Sequence, residues 1–202
     1  MESENKIVNI AIRAAKPEEW DEVMHLVWSV FKEFHAEDYG KEGTDSFLEF
    51  ITDEPLRQHF LCGKYPVFVA VCRDSESMEE KIVGMISMRE NNFISLLFVK
   101  TGMQCSGIGT MLVERAIEFL NPDGEDARLD KDKSEDFRYN RLGDGSVTVN
   151  AAPNAVGFYK KLGFVATDGM QVNCGVTYLP MKKNGTVDSM GNLLAGLRAL
   201  LG

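Results

Sequence analysis

Histidine and cysteine are scarce in this chain of 202 residues, which holds three of the first and four of the second. Cys62, Cys72, Cys105 and Cys174 form no C-x-x-C pair, and they and the three histidines spell no four-ligand pattern. That spelling predicts reduced thiols and no metal site. Long apolar runs are also missing. None approaches the ~20 residues of a membrane-spanning helix, and Met1 to Asn5 is polar rather than signal-like. A cytoplasmic protein without a membrane partner is the expectation. Positive charge is in the minority, 22 Lys and Arg against 31 Asp and Glu, for a net charge of −9. With no basic cluster to offset it, a nucleic-acid partner is not expected. What remains is 44% apolar and 26% charged, enough for one globular domain with a real core and some appendages.

The most informative stretch runs from Ile94 to Leu120. ISLLFVK is a dense apolar run with β-branched and aromatic residues, read as a buried strand. Ile108, Met111, Leu112, Ala116 and Leu120 recur at helical spacing. Between them lies a polar loop ending in Gly107-Ile108-Gly109. A strand, a glycine-bearing loop and a helix start together make a phosphate site: the first helical N–H groups are unpaired, and the helix end is partly positive. A P-loop needs Lys and Ser/Thr where Ile108 and Gly109 stand. A dinucleotide fingerprint needs a small residue where Leu112 stands. Gln104-Cys105-Ser106-Gly107-Ile108-Gly109 fits a third spelling, Q/R-x-x-G-x-G/A.

A second segment, Asn154-Ala155-Val156-Gly157-Phe158-Tyr159-Lys160-Lys161-Leu162-Gly163-Phe164, reads N-x-x-x-F-Y-x-x-x-G-F. In this order the two segments resemble the GCN5-related N-acetyltransferase (GNAT) superfamily, over about residues 7 to 182 in element order. The resemblance implies an α/β (α+β) GNAT fold: a central mixed, mostly antiparallel, splayed sheet of about six to seven strands flanked by about four helices. It implies a domain over 1–182 with a charged insertion at about 121–145, followed by a C-terminal amphipathic tail over 183–202. It further implies an acetyl-CoA-dependent N-acetyltransferase acting on a primary amine by direct attack in a ternary complex. The alternative is a non-catalytic acyl-CoA-binding or regulatory module on the same fold.

By the same resemblance, the N–H groups of Gln104, Cys105, Ser106, Gly107, Ile108, Gly109 and Thr110 hold the pyrophosphate. Leu97 and Val99 pair with the pantetheine arm. A backbone N–H near Phe98 or Val99 meets the acetyl carbonyl, and Phe158 and Asn154 lie along CoA. Tyr159 matches the general acid, a phenol able to donate to a departing thiolate. Each has a plainer reading: Cys105 as a bystander thiol, Asn154 as a helix cap, Tyr159 as a packing residue. The base is open among Glu90, Ser95, Glu33 and His35, or a water relay. The acidic surface suits a cationic amine acceptor, or serves solubility alone.

In chain order, Ile7 to Arg13 alternates as a strand. Trp20, Val23, Met24, Val27, Phe31 and Phe34 mark a helix opened by Pro17, and Asp45 to His59 predicts a second, interrupted near Pro55. His35, Glu37, Asp38 and Tyr39 fall between them, as acceptor contacts or as a solvated loop. Tyr65–Arg73, Lys81–Arg89 and Phe93–Val99 form a meander, with Gly84 marking a bulge or a close approach. Ser146–Ala151 is a strand, and Pro153 starts a helix that Gly163 stops. Phe164–Gln171 and Val176–Met181 are the last strands. Val187, Met190, Leu194, Leu197 and Leu201 form an apolar stripe suited to self-packing or to a homodimer.

Overall fold

The computed structural model describes residues 9–34, 36–73, 79–89, 92–120, 145–173 and 175–185. His35, Glu90, Cys174, residues 121–144 of the charged insertion and the apolar stripe of the tail lie outside them, as does the side chain of Asp38.

Alternation along one strand sets up the layers. In β2 (Val67–Arg73), Val67, Val69 and Val71 pack in one cluster with Trp20, Val23 and Val27, while Phe68 and Ala70 pack in another with Ile108, Leu112 and Ala116. Period-two side chains thus feed two opposite cores, and both faces of the sheet are covered. The first face carries α1 (Trp20–Phe34), α2 (Ala36–Ile51) and α3 (Glu54–Leu61). The second carries α4 (Ile108–Leu120) and α5 (Val156–Lys161).

The sheet has eight strands: β1 (Asn9–Ala14), β2, β3 (Glu80–Arg89), β4 (Phe93–Val99), β5 (Val147–Ala151), β6 (Val165–Ala166), β7 (Gln171–Asn173) and β8 (Val176–Lys183). Their order is β1-β2-β3-β4-β5-β8-β6, with β7 also on β8. All pairings are antiparallel except β4 with β5. The strand predicted over Phe164–Gln171 is interrupted: polar Thr167, Asp168 and Gly169 turn the chain, and β6 and β7 pair separately with β8.

The start of the α1 layer is tied to the sheet by charge. Arg13 on β1 grips Glu19 through two N–H groups (2.8 and 2.7 Å) and also reaches Glu80 on β3 (3.0 Å). Glu19 in turn accepts from the Lys16 N–H at 2.7 Å, closing the first turn. These contacts hold the Glu19 carboxyl below its ordinary range, the Arg13 hydrogen bonds contributing most.

One sequence expectation changes here, and another, the interruption near Pro55, is met. The stretch after α1 is helix rather than solvated loop: α2 begins at Ala36 and is kinked at Gly40, whose φ of 60° and ψ of −170° are not helical. Tyr39 is half-buried, its ring 5.3 Å from that of Phe31, while Glu37 is exposed. The predicted second helix is then split, because Asp53 caps a new start by accepting from the Leu56 N–H (2.9 Å) with Pro55 in the first turn.

Candidate functional site

The site begins where a strand pairing fails. β4 and β5 share only two register pairs, Phe93 with Thr148 and Ile94 with Val149, anchored by Thr148 N–H on the Asn92 carbonyl (2.8 Å). Beyond Ile94 the strands part. A bulge falls at the same place: Ile94 faces Met88 and Leu96 faces Ser87, so Ser95 is extra. Past the bulge, Lys100 N–H donates to Val83 on β3 (2.8 Å). Backbone polar groups alternate along a strand, so those of Phe98 turn toward β3 while those of Leu97 and Val99 turn into the gap.

Buried polar groups brace the bulge. Tyr65 and Ser87 share a hydrogen bond of 2.7 Å, and Ser95 adds a second contact to the same phenol. Burial pushes the Tyr65 phenol up, and these hydroxyls partly offset it.

The loop after β4 has an unusual backbone. Gly102, Cys105 and Gly107 all have positive φ (79°, 59° and 86°). Only Cys105 carries a Cβ there, a conformation that costs a non-glycine residue roughly 1–2 kcal/mol. The loop is clipped from within: Gln104 Nε2 donates to Val99 O (3.2 Å) and Ser106 Oγ to Met103 O (2.5 Å). Helix α4 closes its first hydrogen bond from Met111 to Gly107 O (3.1 Å). The N–H groups of Ile108, Gly109 and Thr110 have no protein acceptor among the described residues. A Cβ on Gly107 would meet nothing within 4 Å, so this side of the helix start is open. Residues 104 to 107 are exposed, and Cys105 is a free, exposed thiol.

Two glycines fix α4 in place. A Cβ on Gly84 would lie 3.2 Å from each of Ile108 Cγ2, Leu112 Cδ1 and the Phe98 carbonyl oxygen. Gly84 is both the close approach and the neighbour of a bulge, since the β2–β3 register slips beside it. A Cβ on Gly109 would lie 3.2 Å from Phe158 Cζ. The second glycine of the loop spelling therefore seats the phenylalanine of the second segment, and the two segments touch.

Tyr159 follows Phe158 on α5. It is 4% exposed, packed edge-on to Phe158 (5.1 Å) and Phe164 (5.2 Å). Its side chain lines a cleft of about 570 Å³ together with Ser95, Leu97 and Phe98. Burial raises the phenol pKa well above its ordinary value. Its hydroxyl has no hydrogen-bond partner among the described residues. Gly163 ends the helix with φ of 86°, as its sequence position predicts. Asn154 is exposed in the turn Pro153–Ala155 and caps nothing; the cap positions are Ala152 and Ala155, neither with a side-chain bond.

The opposite wall of the cleft is aromatic. Phe31 and Phe47 stack at 4.0 Å, and Phe47 leans on Phe98 at 6.0 Å. The β7–β8 turn closes the side, Gly175 coming up against the Tyr39 carbonyl and Gly43 of α2. Arg89 lies over the Phe93 ring, 4.4 Å from its centre, at the end where β4 and β5 still pair. Sequence reasoning missed Phe47 and Arg89. Phe47 and Phe50 recur at i,i+3 beside Phe31, which is a usable signal. Arg89 facing Phe93 across a tight connection is a weaker one. Of the candidate bases, Ser95 lines the cleft, while Glu33 accepts from the Thr101 hydroxyl (2.5 Å).

No group of three or more His, Cys, Asp or Glu among the described residues is placed to hold a metal ion. No helix among them is long and apolar enough to cross a membrane.

Comparison with known proteins matches this architecture. A GCN5-related N-acetyltransferase from Rhodopseudomonas palustris aligns with a TM-score of 0.61 at 22% identity, over 89% of this chain and 99% of its own. The PaiA N-acetyltransferase of Thermoplasma acidophilum, solved with coenzyme A, gives 0.61 at 19% identity over 87% and 99%. A spermidine N-acetyltransferase chimera of Vibrio cholerae SpeG and hSSAT gives 0.52 at 16% over 87% and 95%. Among curated proteins, none matches. The acetyltransferase (GNAT) domain profile matches residues 35–184, a span that includes the β4–α4 seam and the segment around Tyr159. The chain belongs to the GNAT acetyltransferase family.

Proposed function

We propose that the protein is an acetyl-CoA-dependent N-acetyltransferase that moves an acetyl group to a primary amine by direct attack in a ternary complex. The observation that carries this reading is the gap between β4 and β5, with the bare N–H groups of α4 at the end of β4 and Tyr159 beside it. Acetyl-CoA brings an activated thioester, an amide-bearing arm and a pyrophosphate. The open loop suits the last of these: positive-φ backbone at Gly102, Cys105 and Gly107 and the free N–H groups of α4 form an anion cradle. Gln104 contributes loop shape, since its side chain is engaged by Val99 O. Leu97 offers its polar groups, and Val99 its N–H, to the arm as a sheet edge does to an added strand.

Because Phe98 turns its N–H to β3, the amides of Leu97 and Val99 are the donors for negative charge developing on the carbonyl oxygen. As the nitrogen–carbon bond forms, the carbon–sulfur bond breaks and Tyr159 gives its proton to the sulfur. Burial keeps that phenol protonated until the charge appears. The ammonium proton leaves through water past Ser95.

Calorimetric titration with CoA, and release of CoA from acetyl-CoA over a panel of amines and peptides, test the reading. Binding and amine-dependent release are expected. Binding without amine-dependent release marks a non-catalytic acyl-CoA module, and failure to bind CoA overturns the reading.

A further inference from the structure

Resting on that reading, we infer that the acceptor is a primary amine that also carries a carboxylate, with an apolar or aromatic body between, and that Arg89 reads the carboxylate. The described arginines fall into two groups. Arg13, Arg57, Arg73 and Arg115 each have a carboxylate of this chain within ion-pair distance. Arg89 has none among the described residues. It lies on the Phe93 ring and is the one charged side chain among the described residues lining the cleft.

With its Cζ 4.4 Å from the ring centre, the guanidinium keeps N–H donors for a ligand, and its planar fork takes a carboxylate through two parallel hydrogen bonds. Arg89 is exposed at the rim of the cleft, so a pair made there weakens as salt rises. The chain is acidic overall, at −9, which favours approach of an amine, yet the described charge at the cleft, the exposed Arg89, is positive. A zwitterion satisfies both. A polyamine carries no anion and leaves Arg89 without a counter-ion among the described residues.

The layout also fixes spacing. Arg89 faces Phe93, and Leu97 lies four residues further along β4, roughly 13 Å at about 3.3 Å per residue. The Arg89 guanidinium sits over the Phe93 ring, so the amine and the carboxylate stand several bonds apart. The stacked rings of Phe31 and Phe47, with Phe98 tilted against Phe47, supply the apolar wall between them.

The test compares matched acceptors by CoA release: ε-aminocaproate against hexylamine and cadaverine, and para-aminomethylbenzoate against benzylamine. The carboxylate-bearing member of each set is expected to have the higher kcat/KM. Arg89→Gln is expected to lower the ratio of carboxylate-bearing to uncharged acceptor roughly ten- to hundredfold, through KM, as for loss of a charge-assisted hydrogen bond. Arg89→Lys, which keeps the charge without the planar fork, falls between. CoA titration of each variant reports the donor site separately. CoA binding with preference for cadaverine or hexylamine, with no turnover of the carboxylate-bearing amines, or with a ratio indifferent to Arg89→Gln, overturns this inference alone. Loss of CoA binding in the unaltered protein removes the N-acetyltransferase reading and this one with it.

Discussion

Replacing Tyr159 by Phe should push stability and turnover in opposite directions. The ring is 4% exposed and packed on Phe158 and Phe164, contacts that a phenylalanine keeps. The hydroxyl alone is lost, and it has no hydrogen-bond partner among the described residues. A buried hydroxyl without a partner costs about 1–3 kcal/mol. Since this one sits on the wall of an open cleft, its removal should gain no more than about 1 kcal/mol, or roughly 2–4 °C in Tm for a chain of this size. As the proton donor to the leaving sulfur, the same hydroxyl should be worth about a hundredfold or more in kcat. Thermal unfolding and CoA-release kinetics on one preparation read both quantities. Because burial holds the phenol pKa above its usual 10, turnover by the unaltered protein should show no decline from loss of this proton below pH 10. A Tyr159→Phe variant whose kcat matches that of the unaltered protein across that range would refute the acid role. A drop in Tm of several degrees would show that the hydroxyl has a structural partner.

Three further outcomes follow from the packing. Gly84→Ala places a methyl 3.2 Å from the Phe98 carbonyl oxygen, an atom of the backbone that cannot swing aside; a loss of about 1–3 kcal/mol is expected in urea unfolding. Tyr65→Phe leaves Ser87, which is fully buried, without its 2.7 Å partner; it should cost about 1–3 kcal/mol, and Ser87→Ala in the same chain should recover part of that. The Glu19 carboxyl has a lowered pKa in the folded state. The stability it gives is therefore complete above its unfolded value near 4.5 and lost as pH falls below it. Arg13→Ala should flatten that acid limb in melts taken at successive pH values.

The elements proposed to hold the donor were legible because their signals are local. Strand, loop and helix follow one another from Ile94 to Leu120, and the segment around Tyr159 carries its own turn and cap. What escaped reading is made by pairing at a distance. Nothing in SLLFV announces that β5 will part from it after Ile94; the gap is a set of hydrogen bonds that do not form. The bulge at Ser95 reverses which amides face the gap, and a bulge leaves no mark in a run of apolar residues. Helix α2 was misread at its start because AEDYGKEGTD offers little apolar rhythm. Its order comes from Tyr39 and Phe47 docking on Phe31.

The parted strands also divide the molecule by chain order. Everything from β1 to α4 falls within residues 9–120, and everything from β5 to β8 within residues 145–185. Among the described residues, strand register joins these halves only at Phe93 and Ile94, with the Thr148 N–H on the Asn92 carbonyl beside them. Their common bond is apolar: Ile108 and Leu112 of one half share a cluster with Val149, Tyr159, Phe164 and Met181 of the other. Such a joint needs no strand register to hold it, tolerates salt, and weakens on cooling. The protein can therefore be regarded as two covalently tethered fragments that recognise each other through side chains. A cut between residues 120 and 145 would turn that tether into an equilibrium, read out by the reunion of the loop at Gly107 with the phenol at Tyr159.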